Sequence, residues 1–134
     1  MHIDGGCHCG NIAFEAEIDP ESVTICHCTD CQVLTGTAYR TTVQARAETF
    51  KLLKAQPKIY IKTAESGVQR AHGFCPECGT SVYATSISNQ RAYGIRVGTI
   101  RQRAQLRPKK QIWCRSALAW SMNLEALPQS DKNA

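Results

Sequence analysis

Three cysteines fall within six residues in Cys26-His27-Cys28-Thr29-Asp30-Cys31, a density that no ordinary hydrophobic core requires. In an extended segment side chains alternate between faces, so Cys26 and Cys28 project to one side and His27 to the other. Cys28 and Cys31 stand at i and i+3, which one tight or helical turn brings together. The three sulfurs can therefore meet at a point. Thiolates that meet at a point need a cation, and zinc is the usual choice for such ligands. Three protein ligands leave one tetrahedral position open, the arrangement of a catalytic zinc. A fourth ligand from elsewhere would make the site a structural staple instead.

Two further thiol motifs frame this one. Gly5-Gly6-Cys7-His8-Cys9-Gly10-Asn11 carries a second Cys-x-Cys between glycines, and Phe74-Cys75-Pro76-Glu77-Cys78-Gly79-Thr80 is a zinc knuckle. In the knuckle the proline presets the turn and the glycine permits the positive φ that aims amides at sulfur. Cys7, Cys9, Cys75 and Cys78 form one natural ligand set and Cys26, Cys28 and Cys31 the other. Spacing alone also allows Cys26 and Cys28 to join the knuckle. The eighth cysteine, Cys114, stands beside Trp113 and is expected to be a small buried hydrophobe. His8 and His27 point away from the neighbouring sulfurs, which suits a supporting or surface role rather than ligation. His2 and His72 carry no signal. Eight cysteines without an export signal indicate metal rather than a disulfide framework, and so a cytoplasmic address. No apolar run is long enough to span a membrane.

The chain's 134 residues, 43% hydrophobic and 20% charged, suit one globular domain over residues 1–134. The pattern predicts strands at residues 12–18, 23–26, 38–44, 58–63, 69–74, 81–85 and 92–97. A short helix capped by Thr29 should end at Gly36. Ala45-Arg46-Ala47-Glu48 reads as a helical turn, and Val43 to Lys54 suits helix and strand about equally. Arg101 to Lys110 has five basic residues in ten and is expected to be an exposed connection. The tail at residues 129–134 should fray.

With these residues in view, the chain resembles the glutathione-dependent formaldehyde-activating enzyme family, which shares its domain with centromere protein V. The likeness runs from about Ile3 to Pro128. Gly6-Cys7-His8-Cys9-Gly10, Cys26-His27-Cys28-Thr29-Asp30-Cys31 and Phe74-Cys75-Pro76-Glu77-Cys78-Gly79-Thr80 carry it, with support from Leu34-Thr35-Gly36-Thr37-Ala38, Gly98-Thr99-Ile100 and Ile112-Trp113 with Trp120. The resemblance implies a mostly β, β-tent zinc-binding fold like that of methionine sulfoxide reductase B, with only short helical turns. It implies two zinc ions per chain: a structural one on Cys7, Cys9, Cys75 and Cys78, and a second on Cys26, Cys28 and Cys31 with an open position. It also implies a carbon–sulfur lyase-type reaction that joins glutathione to formaldehyde. The fold it implies shifts Phe50 to Leu53 toward strand. Where the family often has acidic residues after Gly98-Thr99, this chain has Ile100-Arg101-Gln102-Arg103.

Three thiolates around zinc favour holding an incoming thiol as thiolate over polarising an aldehyde. Arg40, Arg70, Arg96 and Arg115 are candidates for gripping the carboxylates of a glutathione-like ligand, although each alone reads as a solvated surface charge. A competing reading makes the chain a zinc-stapled binding module, with Arg101, Arg103, Arg107, Lys109 and Lys110 contacting nucleic acid or another polyanion. Aromatic interleaving there is poor, with only Trp113 nearby, a solvated face explains the run just as well, and the net charge of +5 does not by itself mean nucleic acid. A third makes Cys114 a reductase nucleophile, supported by the fold that the resemblance implies and by Cys114-Arg115-Ser116-Ala117, where a lone cysteine stands beside Arg115.

Overall fold

In the computed structural model, which describes residues 1–133, glycine-rich β1 (His2–Gly6) runs antiparallel to β2 (Ala13–Glu17), with Ile3 opposite Ala16 and Gly5 opposite Phe14. The alternation in β2 decides its faces: Phe14 and Ala16 are buried, while Ala13, Glu15 and Glu17 lie closer to solvent. The chain continues through β3 (Thr24–Cys26), helix α1 (Thr29–Thr35), β4 (Arg40–Arg46), β5 (Lys51–Leu52), β6 (Lys58–Thr63), β7 (Gln69–Phe74), β8 (Ser81–Ser86), β9 (Ala92–Arg96) and β10 (Lys110–Ile112). Two sheets result, a three-stranded one in the order β1-β2-β5 and a seven-stranded one in the order β10-β3-β4-β9-β8-β7-β6. The fold is mostly β, as expected, with one α-helix and short 3-10 turns among the described residues.

Both sheets feed one core. Ile3, Phe14 and Ala16 from the smaller sheet cluster with Val43, Val82 and Ile95 from the larger. Phe50 closes the space between them, its ring 5.7 Å from Phe14 and 4.6 Å from Tyr93. Such aromatic contacts add to the burial itself, which dominates the stability of a core of this kind.

Several local expectations need correction. β4 runs on to Arg46, so the predicted helical turn shrinks to a 3-10 turn at Ala47–Thr49. Pairing with β9 across five registered residues outweighs the helix propensity of Ala45 and Arg46. From the ambiguous Phe50 to Leu53, Lys51–Leu52 forms a strand on β2. The N-cap of α1 is Cys28, not Thr29, and Gly36 ends the helix as expected with φ of 69°. The basic segment is not wholly exposed: Leu106 is buried, and Lys110 enters β10, which runs parallel to β3. Residues 129–133 form neither helix nor strand and are exposed, and Ala134 lies outside the described residues. Among those residues, no helix is long and apolar enough to cross a membrane.

Gly5 sets how closely β1 approaches the rest of the fold. A Cβ there would run into the Thr99 carbonyl oxygen, 2.8 Å from Phe14 Cζ and 3.0 Å from Ile100 Cα. Two of these obstacles are backbone and cannot rotate away. Gly5→Ala is therefore expected to destabilise the protein by about 1–3 kcal/mol. Urea unfolding reads this directly, and an unchanged midpoint would show that β1 can shift without cost.

Candidate functional site

β1 delivers Cys7 and β7 delivers Cys75, each onto a tight turn. After Cys7 the chain folds back at once: Gly10 N–H donates to Cys7 O at 3.2 Å and Gly10 adopts φ of 83°. The Cys7-His8-Cys9 unit is thus a turn. The knuckle closes similarly, with Gly79 N–H on Cys75 O at 2.9 Å and Gly79 at φ of 77°. The sulfurs of Cys7, Cys9, Cys75 and Cys78 lie within 4.8 Å of one another, so this set could hold a metal ion. Cys7 and Cys9 are 3.6 Å apart at sulfur, and Cys9 and Cys75 3.7 Å. Tetrahedral zinc with bonds of about 2.3 Å has a sulfur–sulfur edge of about 3.8 Å, so the spacing fits that ion.

Backbone amides surround these sulfurs. Ile12 N–H donates to Cys7 Sγ at 3.1 Å, and Glu77 N–H and Cys78 N–H to Cys75 Sγ at 3.4 and 3.5 Å. Donors aimed at sulfur favour thiolate, the form that binds metal. Hydrogen bonds with the Thr80 hydroxyl and amide, and with the Cys9 amide, hold Cys78 down to about 5. The Asn11 amide pulls Cys9 the same way, but burial and the competing thiols of Cys78, Cys7 and Cys75 push it up to about 12. Four thiols this close cannot all ionise alone. A cation among them removes that conflict.

The second set has its own geometry. Cys26 ends β3, Cys28 caps α1 and buried Cys31 sits in the first turn of that helix. Their sulfurs also lie within 4.8 Å of one another and could hold a metal ion. Cys28 Sγ accepts from Cys31 N–H at 3.3 Å. The hydrogen bond with Cys31 holds Cys26 down to about 5, helped by Cys28 and the Arg40 guanidinium and opposed by burial. The same bond, then burial and Cys28, push Cys31 up. The structure thus brings together the two sets first read from the sequence, and not the alternative with Cys26 and Cys28 on the knuckle.

Around the second set His27 takes a supporting place outside the sulfurs, while several charged residues depart from expectation. His27 is 1% exposed, its Nε2 2.7 Å from Gln111 Oε1 and its ring edge-on to Tyr39. Arg40 and Arg96, expected at the surface, are buried. His72, which gave no signal in the sequence, accepts a hydrogen bond at Nδ1 from Arg96 Nη2 at 3.1 Å. Burial, with Arg96, Arg40, Lys62 and Arg70 around it, holds His72 down to about 3, so it is neutral at physiological pH. Cys114 is exposed, contrary to its expected burial, and belongs to neither sulfur set. Arg115 lies over the Trp113 ring at 5.0 Å. In the basic segment Arg101 pairs with Asp4 at 3.2 Å and Lys109 with Glu21 at 3.5 Å. The burial of Arg40 could have been suspected from β-sheet register, but only with the pairing of β3 and β4 already known.

A family model described as glutathione-dependent formaldehyde-activating enzyme matches residues 2–116. No curated protein matches the chain. A crystal structure of a Rhodobacter sphaeroides protein is similar with a TM-score of 0.62 and 20% identity, covering 81% of this chain and 98% of that one. That likeness bears on the fold alone.

The arrangement predicts how the thiols react. In zinc-loaded protein Cys114 should react quickly with a chromogenic disulfide reagent, because it is exposed and outside both sets. The other thiols should respond only after a chelator is added. Rapid reaction of all the cysteines in loaded protein would contradict metal ligation at both sets.

Proposed function

The chain belongs to the glutathione-dependent formaldehyde-activating enzyme family, and on that premise we propose that it condenses glutathione, or a thiol like it, with formaldehyde or a related aldehyde. In this reading Cys7, Cys9, Cys75 and Cys78 hold a structural zinc, and Cys26, Cys28 and Cys31 hold a catalytic one, both within a single domain. The observation that carries it is the ligand count. The second set has three members, and no further cysteine, histidine or carboxylate among the described residues joins it. Zinc bound there would stabilise an incoming thiol as thiolate at neutral pH.

The chain's own groups favour that role. Three cysteine thiolates give the site net negative charge, which suits thiol capture better than carbonyl polarisation. Buried Arg40, opposite Cys26 in the β3–β4 register, moderates that charge and favours the ionised form of Cys26 and Cys31. Helix α1 positions Cys31, and Gln32 fixes the helix through Nε2 to His27 O at 2.9 Å and Ser116 O at 3.0 Å. In the condensation the thiol sulfur forms a bond to the aldehyde carbon. The carbonyl π pair moves to oxygen, which takes up the proton the thiol gave, and S-(hydroxymethyl)glutathione results. No oxidant or reductant is needed. Proximity of the two reactants adds to the gain.

Two substitutions separate the roles of the two sets. Cys75→Ser removes a ligand from the set that ties the chain's start to its middle, and is expected to give insoluble or markedly destabilised protein. Binding at structural zinc sites is worth on the order of 10 kcal/mol. Cys28→Ser should retain the fold and about one zinc per chain by metal analysis. A soluble Cys75→Ser variant with the parent's melting behaviour would reverse the assignment.

Activity must be measured against the spontaneous addition of thiols to formaldehyde. The enzymatic gain should be largest at mildly acidic pH, about two units below the pKa of a free thiol, where uncatalysed thiolate is scarce. It should fall to the background rate in Cys28→Ser. Equal rates of S-(hydroxymethyl)glutathione formation with and without zinc-loaded protein at that pH would sink the proposal.

A further inference from the structure

Arg40 is 7% exposed, yet its Nε and Nη2 atoms are buried without any hydrogen-bond partner. It also takes part in none of the ion pairs formed among the described residues. A buried guanidinium with unused donors is costly unless an anion completes it. Register tells where that anion would sit. Arg40 lies directly opposite Cys26, and Thr42, two residues along β4, lies opposite Arg96. Directly opposed residues share a sheet face, and so do residues two apart, so Cys26, Arg40 and Arg96 project from the same face.

That face opens into two adjoining cavities of about 300 and 500 Å³, which share Leu34, Arg40, Gly79 and Ser81 in their walls. His72 borders the first and Arg96, 8% exposed, the second. Arg96 is held in place by Nη2 on His72 Nδ1 at 3.1 Å and Nε on Ser81 Oγ at 3.3 Å. Both of its partners are neutral acceptors, so its charge is oriented but not balanced. Of the other cations around His72, Lys62 is already paired with Asp30 at 2.9 Å, and Arg70 lines neither cavity.

Charge balance identifies the ligand class. With a divalent cation on Cys26, Cys28 and Cys31, three thiolates leave one net negative charge, and two arginines bring two positive ones. One positive charge remains for a monoanion. The planar fork of arginine matches a carboxylate. We propose that Arg40 and Arg96 form a carboxylate-binding pocket beside the three-cysteine set, and that the substrate entering there carries a carboxylate. The thiol or the aldehyde can supply that group. The use of the pocket in catalysis rests on the function proposed above, while its affinity for carboxylate does not.

The test is binding to the zinc-loaded protein by calorimetry, with three probes. S-methylglutathione keeps the carboxylates of glutathione but has a capped thiol; its dimethyl ester loses both carboxylate charges and keeps the ammonium; glyoxylate places a carboxylate on an aldehyde. At least one of the two acids should bind, S-methylglutathione pointing to the thiol and glyoxylate to the aldehyde as the source. If S-methylglutathione binds, its diester should bind at least tenfold more weakly. Arg96→Gln should weaken binding of the acid at least tenfold with zinc content and melting temperature unchanged, and Arg40→Gln should do so at a zinc content matched to the parent by added zinc. Should either variant misfold, titration of the parent with acid and ester still decides the matter. No binding of either acid, equal binding of acid and ester, or equal affinity in a well-folded variant would overturn the pocket and leave the arginines as neutralisers of the thiolates. If condensation of thiol and formaldehyde fails while carboxylate-dependent binding persists, the proposed reaction falls and the pocket stands.

Discussion

The convergence of Cys7 and Cys9 on Cys75 and Cys78 is the constraint on which the rest of the structure depends. Cys9 and Cys75 are 66 positions apart, yet their sulfurs lie 3.7 Å from each other. Closing a loop of that length costs about 4 kcal/mol beyond a constant term. Crowding four ionisable thiols into one site adds a further penalty, visible in the opposite displacements of Cys78 and Cys9. A metal ion held by these four sulfurs would offset both by on the order of 10 kcal/mol, so cation binding would win where packing alone is marginal. The consequence reaches both sheets, because β1 runs straight into Cys7 and β7 straight into Cys75.

The three-cysteine set depends on different forces. Helix α1 has seven residues, far fewer than an isolated helix needs to persist in water. Its order comes from outside its own backbone. Cys28 Sγ caps it, Gln32 ties it to His27 and Ser116, and Asp30 pairs with Lys62 on β6. The sulfur that caps the helix also belongs to the cluster, so the order of α1 and the geometry of the three sulfurs are coupled. That coupling makes the second set more sensitive to its surroundings than the first, whose sulfurs lie on turns closed by backbone hydrogen bonds.

How legible each part was in the sequence follows from the range of the interaction. The helix end at Gly36 and the alternation of β2 depend on neighbours in sequence and were readable. So was the grouping of the sulfurs, since Cys-x-Cys and Cys-x-x-Cys spacings confine each pair, although spacing alone did not fix which pairs meet. The N-cap moved from Thr29 to Cys28 because a sulfur held near its helix can serve as the acceptor that a threonine hydroxyl usually supplies. Leu106 was hidden by the charges around it. The parallel pairing of β10 with β3 leaves no local trace, and neither does the burial of Arg40 and Arg96. Charged residues in a strand read as exposed until the partner strands are known.

Strand order then determines what the candidate centre contains. β4 lies between β3 and β9 in the larger sheet, so it is the one strand whose register addresses the three-cysteine set on one side and Arg96 on the other. Arg40 faces Cys26 only because Thr24 pairs with Thr42 and Ile25 with Thr41. A slip of one residue would carry Arg40 to the opposite face and place Tyr39 or Thr41 beside the thiols. The register itself is held by the core. Val43 and Ala45 of β4 are buried, and Val43 pairs with Ile95 of β9. A slip would expose Val43 and Ala45 and turn Gln44 and Arg46 toward the core, because the faces exchange along the whole strand. Hydrophobic packing at one end of β4 therefore holds a charged group in place at the other, where polar interactions alone would release it to water.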